Sequence, residues 1–232
     1  MFPDNTWAAF LVFLGAFITY SSSVNGIKAG VAASIFVCAI AFKDKKWLVA
    51  LLLAISWGLH HSMHVCIIAY IIAALYKNTK IYLAFWLVCF LLAVANVTYF
   101  QELFANFTDE KGASYLLTDE DSGWLTGMRY DFVIYSFMPI LVGLYSKYKL
   151  HISIKEYDFI LNLYLLLNGV WMLCMYASFT NRIAALSWLL YSIVLTYPFL
   201  SKQCNIPNKN SIFAVIMLLH LSFTLFMAFI YY

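Results

Sequence analysis

Charge is what this sequence has least of. Asp, Glu, Lys and Arg make up 11% of its 232 residues, where a soluble domain carries about a quarter. So few charges cannot cover a water-facing surface. That excludes an ordinary soluble globular protein and leaves lipid as the solvent. The net charge of +3 is too small to mark a nucleic-acid-binding protein. The five cysteines, Cys38, Cys66, Cys89, Cys174 and Cys204, form no CxxC, and four lie inside apolar stretches. They read as small packing residues rather than a disulfide or metal frame. No basic segment precedes the first apolar stretch, so no cleavable signal peptide is evident. Walker A, GxGxxG, GxSxG and HExxH patterns are all missing. An enzyme of this composition would use an activated, lipid-linked donor, not a nucleotide held in a soluble domain.

What is present is apolar. Hydrophobic residues make up 64% and aromatic residues 19%. Rings at that density suit interfacial belts and tightly packed bundles. The apolar runs are Thr6 to Tyr20, Ala29 to Phe42, Trp47 to Tyr76, Ile81 to Phe100, Arg129 to Tyr145, Phe159 to Phe179, Ile183 to Leu200 and Ile212 to Tyr232. The expected fold is all-α, a polytopic transmembrane helix bundle of about seven full spans plus a broken or re-entrant pair at 47–76. It forms a single integral membrane domain over 1–232, with an acidic external loop at 101–127.

Orientation follows from the lysines. Lys43, Lys45 and Lys46 mark one cytoplasmic loop, Lys147, Lys149 and Lys155 a second, and Lys202 and Lys209 a third. The stretch 101–127 holds Glu102, Asp109, Glu110, Asp119, Glu120 and Asp121 against Lys111 alone, and reads as external. Lys77 and Lys80 look cytoplasmic, so 47–76 must cross an even number of times. One continuous helix there would span ~45 Å, too long for a ~30 Å hydrocarbon core. Two short helices meeting at His60-His61-Ser62 fit better, Trp47–Leu59 rising and Met63–Tyr76 descending. Alternation then puts the N-terminus inside and the C-terminus outside. Lys28, His60, Arg129 and Arg182 fall on the external side.

Those four residues carry the candidate chemistry. Arg129, Arg182 and Lys28 open apolar runs. Each is either an interfacial anchor that snorkels to head groups or part of an anion site. An arginine fork grips phosphate with two hydrogen bonds, and a helix start adds backbone N–H groups and a positive dipole end. Asp131 lies two residues beyond Arg129, where helical geometry would give the two different faces. It reads as an ion-pair partner of Arg182 or another cation, or as a general base. His60 and His64 are four apart, but no carboxylate accompanies them. A bundle hydrogen bond, a substrate contact or acid–base work all remain open for His60. Asn168, on a Tyr164/Asn168/Trp171 face, reads as an interhelical hydrogen-bonding residue, and the rings beside it as candidate sugar-stacking surfaces.

Four segments in order, Asn25-Gly26-Ile27-Lys28-Ala29-Gly30-Val31-Ala32, His60-x-Ser62, Gly127-Met128-Arg129-Tyr130-Asp131 and Ser178-Phe179-Thr180-Asn181-Arg182-Ile183-Ala184, resemble the EpsG-like exopolysaccharide family. That family is related to the Wzy polymerases of O-antigen and capsule. The resemblance covers nearly all of this chain and the C-terminal two-thirds of the family, whose members usually carry further spans ahead of this point. It implies a multi-pass protein of the bacterial inner membrane acting at the periplasmic face. The activity implied is a membrane glycosyltransferase, a polymerase joining undecaprenyl-pyrophosphate-linked oligosaccharide units. Its expected partners are that polyprenyl-pyrophosphate-linked oligosaccharide, membrane lipid and other polysaccharide-assembly proteins, with no nucleic acid. No cofactor and no metal are expected. By resemblance Arg129 and Arg182 would neutralise the pyrophosphate leaving group, and His60 would contact phosphate or sugar or handle a proton. Lys28 stands where the family more often has Arg, and it joins Asp131, Asn181 and His61 as candidate substrate-binding positions. A flippase of lipid-linked saccharides and a non-catalytic membrane scaffold are the rival readings.

Overall fold

In lipid a backbone must satisfy its own hydrogen bonds, and a helix does so within one segment. The computed structural model describes residues 2, 4–19, 26–105, 113–114, 116 and 127–231, and every regular element among them is helical. In chain order these are α1 (Thr6–Leu14), α2 (Ile27–Ala41), α3 (Lys46–Leu59), α4 (Met63–Leu75), α5 (Thr79–Val94), α6 (Tyr99–Ala105), α7 (Tyr130–Leu144), α8 (Lys155–Leu173), α9 (Thr180–Trp188), α10 (Tyr191–Leu200) and α11 (Lys209–Phe226). Of the six acids of the stretch 101–127, only Glu102 lies among the described residues.

α8 is the axis of the bundle. It is apolar on every side after its first turn, and thirteen of its nineteen residues are buried, as expected for a helix surrounded by others. It packs on α4, α5, α7, α9 and α10. α5 packs on it at Gly169, where the missing side chain leaves room for the Phe85 ring. Along this seam Trp86 Nε1 donates to Asn168 Oδ1 across 2.7 Å, and Tyr176 Oη donates to the Ala93 carbonyl across 2.9 Å. Both chain numbers rise together, so α5 and α8 are parallel. α7 runs antiparallel to α8: Gly143 faces Leu161, Tyr164 Oη donates to the Ser136 carbonyl, and Phe132 meets Trp171.

The long apolar run 47–76 does break at its histidines. Leu59 ends α3, and His60 is extended at φ −150°, ψ 122°. Its Nδ1 accepts from the Ser62 N–H across 3.3 Å, with Ser62 Oγ 2.7 Å away. This local bond competes with the helical ladder. The two halves then separate: α3 packs mainly on α2 and α4 on α8.

Expectation and structure part company over the number of spans. Among the described residues two helices are long and apolar enough to cross a membrane, Thr180–Leu200 and Lys209–Phe229. A third span results if α5 and α6, bent by 108°, are counted as one. Asn96, in the left-handed region at φ 55°, lies in that bend, a conformation asparagine tolerates better than most residues. α2, α3 and α4 are apolar but shorter. Seven full-length spans are therefore not what these lengths give. Breaks at His60 and Asn96 divide two of the apolar runs into pieces of roughly two to four turns.

Candidate functional site

The site is set by which helix ends lie together. Lys43, in the turn between α2 and α3, pairs with Glu156 at the start of α8 across 2.7 Å. That hydrogen bond lowers the Glu156 carboxyl below its ordinary value, against the opposing effect of burial. Lys147 pairs with Asp158, and Lys202 with Asp4 across 2.8 Å. These contacts gather the lysine-rich loops at one end of the bundle.

The candidate residues are at the other end. α2 and α3 form an antiparallel hairpin, fastened where Ser56 Oγ donates to the Ala32 carbonyl across 2.7 Å. Lys28, second residue of α2, and His60, just past α3, are therefore side by side in level, roughly 22 Å from Lys43 at 1.5 Å per residue. Because α7 is antiparallel to α8, Arg129 at its start lies at the level of Trp171. Arg182, third residue of α9, follows the α8–α9 turn at the same end. There Trp171 Nε1 donates to Thr180 Oγ1 across 2.8 Å, and Thr180 Oγ1 in turn donates to the Cys174 carbonyl across 3.1 Å.

Gly127 holds φ +114°, a conformation open to glycine, and brings the chain into α7 with Arg129 at the N-cap. Here one expectation is corrected. Arg129 precedes the helix, so the helical rule does not separate it from Asp131. Nε donates to Asp131 Oδ1 across 3.0 Å and an Nη to Oδ2 across 2.6 Å, a fork-to-carboxylate pair. Asp131 thus grips Arg129, not Arg182. The guanidinium also lies over the Phe132 ring, 3.8 Å from its centroid. Arg182, which is exposed, lies over Phe179 at 4.4 Å. Such stacking holds a planar cation in place without using its edges.

Arg129 and Arg182 are joined through side chains: Phe132 touches Trp171 and Trp188, and Trp171 holds Thr180, two residues before Arg182. Lys28 and His61 are exposed, and Asn181 is half-buried in the first turn of α9. His61 uses its carbonyl to accept from His64 Nδ1. His60 and His64 lie on opposite sides of the α3–α4 break, so they share no helical face, and no group of three metal-ligating side chains occurs among the described residues. His60 Nδ1 lies against Ser62, 3.3 Å from its backbone nitrogen and 2.7 Å from its Oγ.

Sequence reasoning missed Phe132 and Phe179. The signal was there: each arginine has an aromatic residue three positions away. It misjudged Tyr164 and Trp171, which are fully buried and spend their polar atoms on Ser136 and Thr180. They offer no surface to a sugar. Asn168 is the interhelical hydrogen-bonding residue expected, accepting from Trp86 and donating to Ser187 Oγ across 2.9 Å. A cavity of about 510 Å³ lies between α1, α2 and α10 and touches none of the candidate residues.

Comparison with curated proteins and with solved structures gives no match. The EpsG family does match, from residue 2 to residue 232. With that coverage, and with its motif residues gathered at one end of an apolar helical bundle, the chain belongs to the EpsG family.

Proposed function

We propose that this membrane protein of an exopolysaccharide-biosynthesis family is the polymerase itself. It would join undecaprenyl-pyrophosphate-linked oligosaccharide units at the periplasmic face of the bacterial inner membrane. The observation that supports this best is the end-to-end asymmetry of cations. At one end Lys43, Lys147 and Lys202 pair with acids of other segments. At the other, both arginines of the chain and Lys28 sit in the first turns or caps of helices.

A cation at a helix start opposes the macrodipole, an arrangement that an anion between them makes favourable. Gly26, Arg129 and Phe179 at the N-caps contribute no capping side-chain hydrogen bond. A diphosphate would supply acceptors to those amides and charge to those cations. Glycosyl transfer from a polyprenyl diphosphate builds negative charge on the departing oxygen. Fixed guanidinium groups lower the barrier by stabilising that charge. His60 is the candidate contact for phosphate or sugar beside them. The short helices α2, α3 and α4, roughly 20 Å long, would cross a locally thinned bilayer.

Arg129→Ala and Arg182→Ala are expected to leave membrane insertion intact and to abolish long-chain polysaccharide, read as product length on a gel. Wild-type chain lengths in both variants would reject the assignment. Purified protein given lipid-linked units separates the rival: growth in product length marks a polymerase, and transfer across a vesicle without growth marks a flippase.

A further inference from the structure

We propose that Asp131 is an exchangeable counter-ion: it occupies the gripping edge of Arg129 in the resting protein and yields that edge to the diphosphate of an incoming ligand. The inference rests on the diphosphate reading of the site given above. A carboxylate and a phosphate take the same fork of a guanidinium, two oxygens against two N–H groups. Asp131 fills that fork through Nε and one Nη, at 3.0 and 2.6 Å. An anionic ligand that uses this edge must displace Asp131.

The two partners differ in how readily they can leave. The Arg129 side chain is 11% exposed and lies over the Phe132 ring, whereas the Asp131 side chain is 27% exposed. Arg129 is held by a ring that is itself fully buried. The released carboxylate has water within reach and remains in the first turn of α7, where a negative charge is favoured. So the carboxylate is the half that moves and the guanidinium the half that stays. The pairing also has a resting-state use, because a buried guanidinium without a counter-charge is costly. Arg182, exposed on its Phe179 ring, makes the first electrostatic contact, and Arg129 changes partner second.

The test is calorimetric binding of inorganic pyrophosphate to the purified full chain in detergent. Asp131→Asn keeps the shape and one acceptor but removes the charge. It is expected to bind pyrophosphate about tenfold tighter than wild type, the scale of one hydrogen bond to a charged group. Asp131→Ser, which also removes the charge, must shift binding in the same direction. Gel filtration of each variant checks that the fold is kept. Adding Arg129→Ala to either variant must erase the gain. Weaker or unchanged binding in both Asp131 variants would overturn the exchange and leave Asp131 as a positioning residue for Arg129. Failure of the diphosphate reading looks different: pyrophosphate binding would then be indifferent to Arg129→Ala and to Arg182→Ala in every background.

Discussion

Single residues do several kinds of work here, and the sequence disclosed them unequally. Both arginines were legible, because a fixed charge opening an apolar run needs a reason. Their aromatic supports were not singled out, because a ring three positions away is unremarked in a chain with 19% aromatic residues. Asp131 was misplaced, since the helical spacing rule was applied to a residue that caps the helix rather than belonging to it. Asn168 was legible as a lone amide inside an apolar run. It joins α5, α8 and α9 through Trp86 and Ser187, with no exposure of its own. Asn168→Leu fills a similar volume but leaves an indole N–H without its acceptor in a dry interior. It is expected to cost about 1–2 kcal/mol, the upper range for such bonds between membrane helices. Thermal unfolding in detergent, followed by tryptophan fluorescence, should show a lowered midpoint. Trp86→Phe in the same background should then add less than it does alone, and full additivity would mean that the two side chains are not coupled.

Helices and their breaks were read from hydrophobic runs, and that worked where a polar cluster interrupts the run. The division of 47–76 was deduced from length and lysine placement, and it falls at His60 because that ring bonds the Ser62 amide. It did not work at Gly15, where apolar sequence continues through the end of a helix. Close approach between helices was also invisible, though it decides which pairs pack. Gly169 and Gly143 both mark it and differ in what faces them. A Cβ at Gly169 would come within 2.6 and 3.0 Å of two carbons of the Phe85 ring, which cannot bend aside. At Gly143 the nearest atom, at 2.7 Å, is a methyl at the far end of Leu161. Gly169→Ala is therefore expected to cost roughly 1–3 kcal/mol by overpacking the α5–α8 seam, and Gly143→Ala distinctly less. Phe85→Leu should recover part of the Gly169→Ala loss. Unfolding midpoints of the three variants check the order. A larger loss at Gly143 would contradict the packing described.

At the scale of the whole molecule, one asymmetry connects composition to function. A chain with few charges cannot place them at random in lipid, because each must reach an interface, a partner or a ligand. Counting lysines sorted the loops into two sides before any contact was known. The ion pairs Lys43–Glu156, Lys147–Asp158 and Lys202–Asp4 then fall at one end, and Lys28, His60, Arg129 and Arg182 at the other. The lysine count also predicts the absolute side of the membrane, which decides whether the arginines meet units already exported. In a background with all five cysteines replaced, single cysteines at four exposed positions settle it: Lys28→Cys and His61→Cys at one end, Asp44→Cys and Gln203→Cys at the other. A membrane-impermeant maleimide should label the first two in intact cells and the second two only after permeabilisation, because basic loops stay inside. The reverse pattern would place the arginine pair on the cytoplasmic face and remove the periplasmic polymerase. Labelling of His61→Cys but not Lys28→Cys would break the α2–α3 hairpin, because its antiparallel course requires both residues to emerge on the same side.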